Sequence, residues 1–180
     1  MEYDLINLFD HTQCCLFEYI PSAIAVFGTG KANHCVIDVE WKRSAGEAAV
    51  QAPLTLKWDL DVLRVRLPEI DAQVRNRREW NDDRATQTEE AAIVVAVAVL
   101  THIEPDTLFT RRSNTGTRHD YYLNAVRDEM IEIAGRWDDA ITGMFEEKRK
   151  QSDLNSALRK RWVSATVVER LQNRTEGLHT

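Results

Sequence analysis

The apolar and polar positions of the chain fall into blocks with different periods. The longest apolar block lies between Asp83 and His102, where Ala, Val, Ile and Leu fill almost every position from Ala91 to Leu100. Its length and alanine content predict a helix, and a helix that is apolar all round is a buried one. Upstream, the period shortens. Ala23 to Phe27 is apolar and partly β-branched, Gly28-Thr29-Gly30-Lys31 is a turn signal, and His34 to Trp41 carries Val36, Ile37, Val39 and Trp41. Two such runs around a glycine loop predict a β-hairpin. Leu54, Leu56 and Trp58 alternate with Thr55, Lys57 and Asp59, and Val62 to Leu67 alternates until Pro68 ends it, which predicts a further strand pair. Residues 1–20 are expected to begin as a helix, and residues 69–84 read as a polar connection.

After the long helix, Thr107 to Arg111, Asp120 to Leu123 and Met130 to Ala134 are each short enough for a strand. Residues 139–152 place Ile141, Met144 and Phe145 at helical spacing among charges, and Val163 to Val168 reads as a last strand. The predicted class is α/β or α+β: a central mixed sheet flanked by helices, with an N-terminal β-hairpin or meander extension. A length of 180 residues fits one domain. Within it, residues 1–70 form a β-rich part and residues 83–170 the core.

Composition narrows the class of function. With 43% hydrophobic and 29% charged residues, the chain reads as globular. Its net charge of -6 argues against coating nucleic acid by charge alone. A nuclease stays open, because a metal ion supplies local positive charge in a carboxylate site. Cys14, Cys15 and Cys35 make a poor disulfide framework and read as small buried hydrophobes in a reducing compartment. The acidic start MEYDLINLFD is unlike an export signal. The apolar run of ten residues, Ala91 to Leu100, is shorter than the about 20 that span a bilayer. A cytoplasmic protein without a membrane partner is expected.

The candidate chemistry lies in acids set beside apolar runs. Glu89 stands at the mouth of the apolar helix, Asp120 heads the aromatic run Tyr121-Tyr122-Leu123, and Glu132 lies within Met130-Ile131-Glu132-Ile133-Ala134-Gly135. A carboxylate on an apolar strand is expensive to bury unpaired, so it points to a site. Several converging at a sheet end would suit Mg²⁺ or Mn²⁺, which prefer hard oxygen ligands. The alternative is structural: these acids cap helices or pair with Arg111, Arg112, Arg118 and Arg136.

The order of these acids resembles the restriction-endonuclease-like nucleases, the PD-(D/E)XK superfamily, and an uncharacterised bacterial branch of it, over about residues 85–170. The resemblance implies a restriction-endonuclease-like fold and Mg²⁺- or Mn²⁺-dependent phosphodiester hydrolysis. It implies Asp120 and Glu132 as catalytic metal ligands, with Glu89 supporting the metal directly or through water. The family's lysine two residues after the strand Glu is Ala134 here. Either Lys148 or Lys150 then substitutes in orienting water or phosphate, or the fold is kept as a catalytically inactive scaffold. A subunit of a bacterial complex is expected, with a protein partner or a second copy, and nucleic acid as a possible ligand. A partner-binding or immunity-type protein is a third reading, since acidic surfaces attract basic partners.

Other candidates are blander. Asp38, Glu40 and Lys42 contain a literal Glu-x-Lys and share one face of a strand, which makes them either the real acidic site or a solvent-facing polar row. Gly28-Thr29-Gly30-Lys31 lacks the Walker spacing and the Ser or Thr after its lysine. Arg75, Arg77 and Arg78, and Arg159-Lys160-Arg161 near the C-terminal end, are either phosphate contacts or solvated surface.

Overall fold

The computed structural model of the protein describes residues 1–11, 14–28, 32–41, 48, 50–79, 84–112, 120–124, 129–137, 143, 146–147, 150 and 160–168. Helices and strands are mixed in the α+β manner, with two small sheets. The first contains β1 (Glu2–Asp4), β2 (His34–Trp41) and β3 (Val50–Lys57) in the order β1-β3-β2. β1 runs parallel to β3, and β2 runs antiparallel to it. The second contains β4 (Phe109–Arg112), β5 (Tyr121–Leu123), β6 (Glu129–Trp137) and β7 (Lys160–Val168), in that order across the sheet. β4, β5 and β6 are antiparallel neighbours, and β7 is parallel to β6. A parallel pair needs a long crossover. Between β6 and β7, Gly143, Glu146, Glu147 and Lys150 are helical.

Five α-helices are bounded by described residues: α1 (Leu8–His11), α2 (Ile20–Phe27), α3 (Leu60–Arg66), α4 (Ile70–Glu79) and α5 (Arg84–Ile103). α5 is the apolar helix expected over residues 83–102. It packs on β6 and β7, and also on α2. With neighbours on both sides, Ala92, Val94, Val97 and Leu100 are all buried. Among the described residues no helix is long and apolar enough to cross a membrane.

Four expectations for the N-terminal part are corrected. Residues 1–20 begin not as a helix but as β1, because Glu2–Asp4 pair with Thr55–Lys57, and α1 starts only at Leu8. Residues 23–27 are not a strand but the body of α2, with Pro21 in its first turn, where a missing N–H costs nothing. β2 therefore pairs with β3, not with residues 23–27. Gly28 ends α2 by donating its N–H to the Ile24 carbonyl at 2.9 Å. Val62 to Leu67 is likewise helical. Asp59 caps α3 by accepting from the N–H groups of Asp61 and Val62. Leu63 is then buried, with Leu60 and Leu67 packed beside it, while Val65 is 81% exposed. Residues 70–79 of the polar connection form α4, whose buried side is only Ile70 and Val74, one helical turn apart.

A polar junction ties three helices together. The Ser22 hydroxyl is wholly buried; it donates to the Glu90 carboxylate and accepts from Arg77 Nε at 2.6 Å. α2, α4 and α5 are thus linked by one serine, which the sequence pattern does not reveal.

Candidate functional site

The faces of β6 are fixed by one close approach. A Cβ on Gly135 would lie 2.4 Å from the Thr88 carbonyl oxygen and 2.9 Å from the Ala92 side chain, so α5 rests directly on β6 there. Residues of one parity in a strand share a face. Ile131, Ile133 and Gly135 therefore look toward α5, and Ile131 and Ile133 belong to the continuous apolar core. Met130, Glu132 and Ala134 look the other way; they are also buried, with Glu132 only 4% exposed.

Asp120 brackets Glu132 from the neighbouring strand. Its N–H donates to the Ile131 carbonyl at 3.0 Å, and its Oδ2 accepts from the Ile133 N–H at 2.6 Å. Both bonds are to residues adjacent to Glu132. The ladder of β5 and β6 pairs Tyr121 with Ile131 and Tyr122 with Met130. Asp120 closes its end, with a carboxylate standing where a backbone acceptor would otherwise serve.

The other predicted site residues are placed as follows. Glu89 is exposed on α5, the helix that covers the opposite face of β6 from Glu132. Lys150 is helical and exposed, and Lys148 lies outside the described residues. Among the described residues no three of the His, Cys, Asp and Glu side chains are gathered as a metal-holding group. Asp120 and Glu132 lie on adjoining segments and offer oxygen donors alone, which fits a hard cation.

A second buried acid was not anticipated. Glu129, at the start of β6, accepts from Asn124 Nδ2 at 2.9 Å. Asn124 has φ 54, a left-handed conformation that Asn tolerates better than most residues. Its Oδ1 accepts from the Leu108 N–H at 3.0 Å, and its own N–H donates to the Leu108 carbonyl at 2.6 Å. This clamp joins the entry to β4, the end of β5 and the start of β6.

Among the described residues the remaining candidates read as structure, while Arg159 and the side chains of Lys160 and Arg161 lie outside them. Asp38 is exposed on β2 while Ile37 and Val39 pack against the core; Lys42 and the Glu40 side chain lie outside the described residues, as do Thr29, Gly30 and Lys31. The arginines of α3 and α4 are mostly engaged. Arg64 pairs with Asp61 and Asp71, and its hydrogen bond holds the Asp71 carboxyl below the ordinary range. Arg66 lies 4.4 Å over the Phe9 ring, and Arg78 bonds the Gly28 carbonyl at 3.1 Å. With Arg77 in the Ser22 junction, most of these side chains are committed within the protein.

The cysteines divide. Cys15 is exposed, which corrects its expected burial, whereas Cys14 and Cys35 are half-buried. Burial pushes both of those thiols up to about 11. Their thiolate fraction is then about a hundredfold below that of a free thiol. Limited alkylation at mildly alkaline pH, mapped by mass spectrometry, is expected to modify Cys15 first and Cys14 and Cys35 much more slowly. Equal rates at all three would contradict this packing.

Compared with known proteins, the chain matches no family model, no curated protein and no solved structure.

Proposed function

We propose that residues 84–168 form a restriction-endonuclease-like nuclease domain in which Asp120 and Glu132 hold a divalent cation for phosphodiester hydrolysis. The observation that carries this reading is the bracketing of Glu132 by the N–H and the carboxylate of Asp120. It sets two acids from neighbouring strands at one end of a short ladder. The element order supports the same reading. A helix is followed by three antiparallel strands, a partly helical crossover and a fourth strand parallel to the third. Glu89, Asp120 and Glu132 follow one another along this order of elements, as the resemblance has its acids.

In this reading the cation, Mg²⁺ or Mn²⁺, would activate water and offset charge on the phosphate when bound. The protein's own groups do the positioning. The Ile133 N–H fixes one oxygen of Asp120, and the buried strand β6 fixes Glu132. Lys148 or Lys150 orients the attacking water or the phosphate, and Glu89, on the helix that covers the opposite face of β6, takes no part.

One observation favours a second reading, a nuclease-like scaffold without catalysis that serves a protein partner. Ala134 occupies the position of the family's lysine and is itself buried, so no cation stands at that point of β6.

Asp120→Asn separates the two roles of Asp120. It keeps an oxygen for the Ile133 N–H but loses the charge. The wild-type chain is expected to gain about 2.7 kcal/mol of stability at a Mn²⁺ concentration about 100 times Kd. Asp120→Asn is expected to lose that gain with its metal-free melting temperature nearly unchanged. Metal-dependent cleavage of single- or double-stranded nucleic acid, lost in Asp120→Asn and Glu132→Gln, supports the nuclease. Stabilisation without cleavage favours the scaffold. A Mn²⁺ response that Asp120→Asn leaves intact sinks the assignment of this pair.

A further inference from the structure

The open edge of the first sheet has a self-complementary pattern. β2 lies at the edge of the order β1-β3-β2, and no described strand lies on its outer side. The direction of its backbone groups follows from two sets of hydrogen bonds. Trp58 donates its N–H to the Asn33 carbonyl at 2.9 Å, which fixes one hydrogen-bonded pair across β2 and β3. On β3, the Pro53 carbonyl and the Thr55 N–H both bond Met1, so those positions turn away from β2. Alternation then directs the N–H and C=O groups of Cys35, Ile37 and Val39 toward β3. Those of His34, Val36 and Asp38 face the open edge. Pro53, which has no N–H, stands opposite Asp38 in the register, at a pair that needs none.

The side chains of the same three residues are exposed, and Val36 is 60% so. An edge strand with its polar groups open and an apolar residue at its middle is a template for pairing. β2 contains no proline and no lysine to blunt it. The occupant that fits best is a second copy of this chain. Set antiparallel about a two-fold axis at Val36, the strand places Val36 against Val36 of the second copy. His34 then stands opposite Asp38 of the second copy on both sides of the axis, and Cys35 opposite Ile37. Each outward pair is matched, apolar with apolar and imidazole with carboxylate. Moving the axis to Ile37 sets Val36 against Asp38, and moving it to Asp38 sets two carboxylates face to face, so the charges select one register.

We propose that the protein forms a two-fold homodimer through β2, joining two three-stranded sheets into one continuous six-stranded sheet with Val36 on the axis. The interface is isologous, as a two-fold contact requires. It is independent of the metal site proposed above.

Sedimentation and light scattering on the full chain test this. The wild type is expected at twice the 20.7 kDa chain mass. Val36→Lys opposes two ammonium groups on the axis, and His34→Asp opposes carboxylates at both flanks. Each is expected to weaken the dimer by about tenfold or more, which corresponds to about 1.4 kcal/mol. His34→Asp combined with Asp38→His restores the pairing with the partners exchanged and is expected to restore the dimer. Val36→Cys, with no reductant present, is expected to give a covalent dimer on a non-reducing gel, whereas Val50→Cys on β3 is not. A wild type that stays monomeric at its highest soluble concentration overturns the proposal. So does a dimer that Val36→Lys leaves intact, or a double exchange that fails to restore it.

Discussion

Phe109→Ala is expected to remove about 3–5 kcal/mol of folding stability, the range for truncating a large buried aromatic residue. Phe109 is fully buried at the start of β4. Its ring meets Tyr121 of β5 at 6.1 Å between centroids and at a 60° tilt, a geometry aromatic pairs favour. The backbone around it is equally constrained. The Phe109 carbonyl accepts from the Cys14 thiol at 3.6 Å, and the register shifts between Phe109 and Arg111. A cavity here has little room to collapse, because the Phe109 backbone is held both by β5 and by the segment before α2. Urea denaturation should show a lower midpoint with an unchanged slope. Val65→Ala on the exposed side of α3 serves as the reference and is expected within about 0.5 kcal/mol of wild type. A loss of less than about 1 kcal/mol at Phe109 would mean that β4 is not packed into the core as described.

Gly135→Ala is the second large effect, and it acts by addition. The new methyl group would lie 2.4 Å from the Thr88 carbonyl oxygen and 2.7 Å from its carbonyl carbon. Both are backbone atoms of α5, so no rotamer change relieves the overlap. β6 cannot retreat easily either, since β7 is paired to it along the whole of Glu129–Trp137. Overpacking of this kind costs about 1–3 kcal/mol in typical cores, and a backbone clash belongs at or above the upper end. Separation of α5 from β6 should also disturb the neighbouring Glu132 and reduce the Mn²⁺ response. Gly143→Ala is the matched control. A Cβ at Gly143 meets nothing within 4 Å, and the residue is helical, so alanine there is expected to be neutral or to stabilise by up to about 1 kcal/mol. Similar losses at both glycines would contradict the close approach of α5 and β6.

These two cases show what a linear pattern carries. The apolar runs were sufficient for α5, through its length and alanine content, and for β2, β3 and the four strands of the second sheet, through short apolar or alternating stretches. The pattern misled at residues 62–67, where Leu63, Val65 and Leu67 alternate with Arg64 and Arg66 as a strand would. The same segment satisfies a helix stripe at Leu60, Leu63 and Leu67, and the side chain of Asp59 decides between them. Residues 23–27 misled because a short apolar run suits either state, and there Pro21 and burial against α5 favour the helix. α4 was hidden by its charges, because two buried residues in ten are too few to set a visible period.

The candidate site was legible only in part. The acids Asp120 and Glu132 stand out in sequence because each borders apolar residues, and the fold does bring their segments together. That Glu89 lies on the other side of β6 was not legible, since it depends on how α5 seats on Gly135. The Ser22, Glu90 and Arg77 junction and the Asn124 and Glu129 clamp join residues whose partners are chosen by packing rather than by spacing.

The mixed α+β class, the buried helix and most of the strands are written in the chain's own pattern, because local burial and side-chain period act over a few consecutive residues. Which face each strand turns to α5, which acids share one end of a ladder, and which described strands stand at the sheet edges were settled by folding. Those outcomes depend on contacts between segments far apart in the chain, such as Thr88 with Gly135 and Cys14 with Phe109, and no local period encodes them.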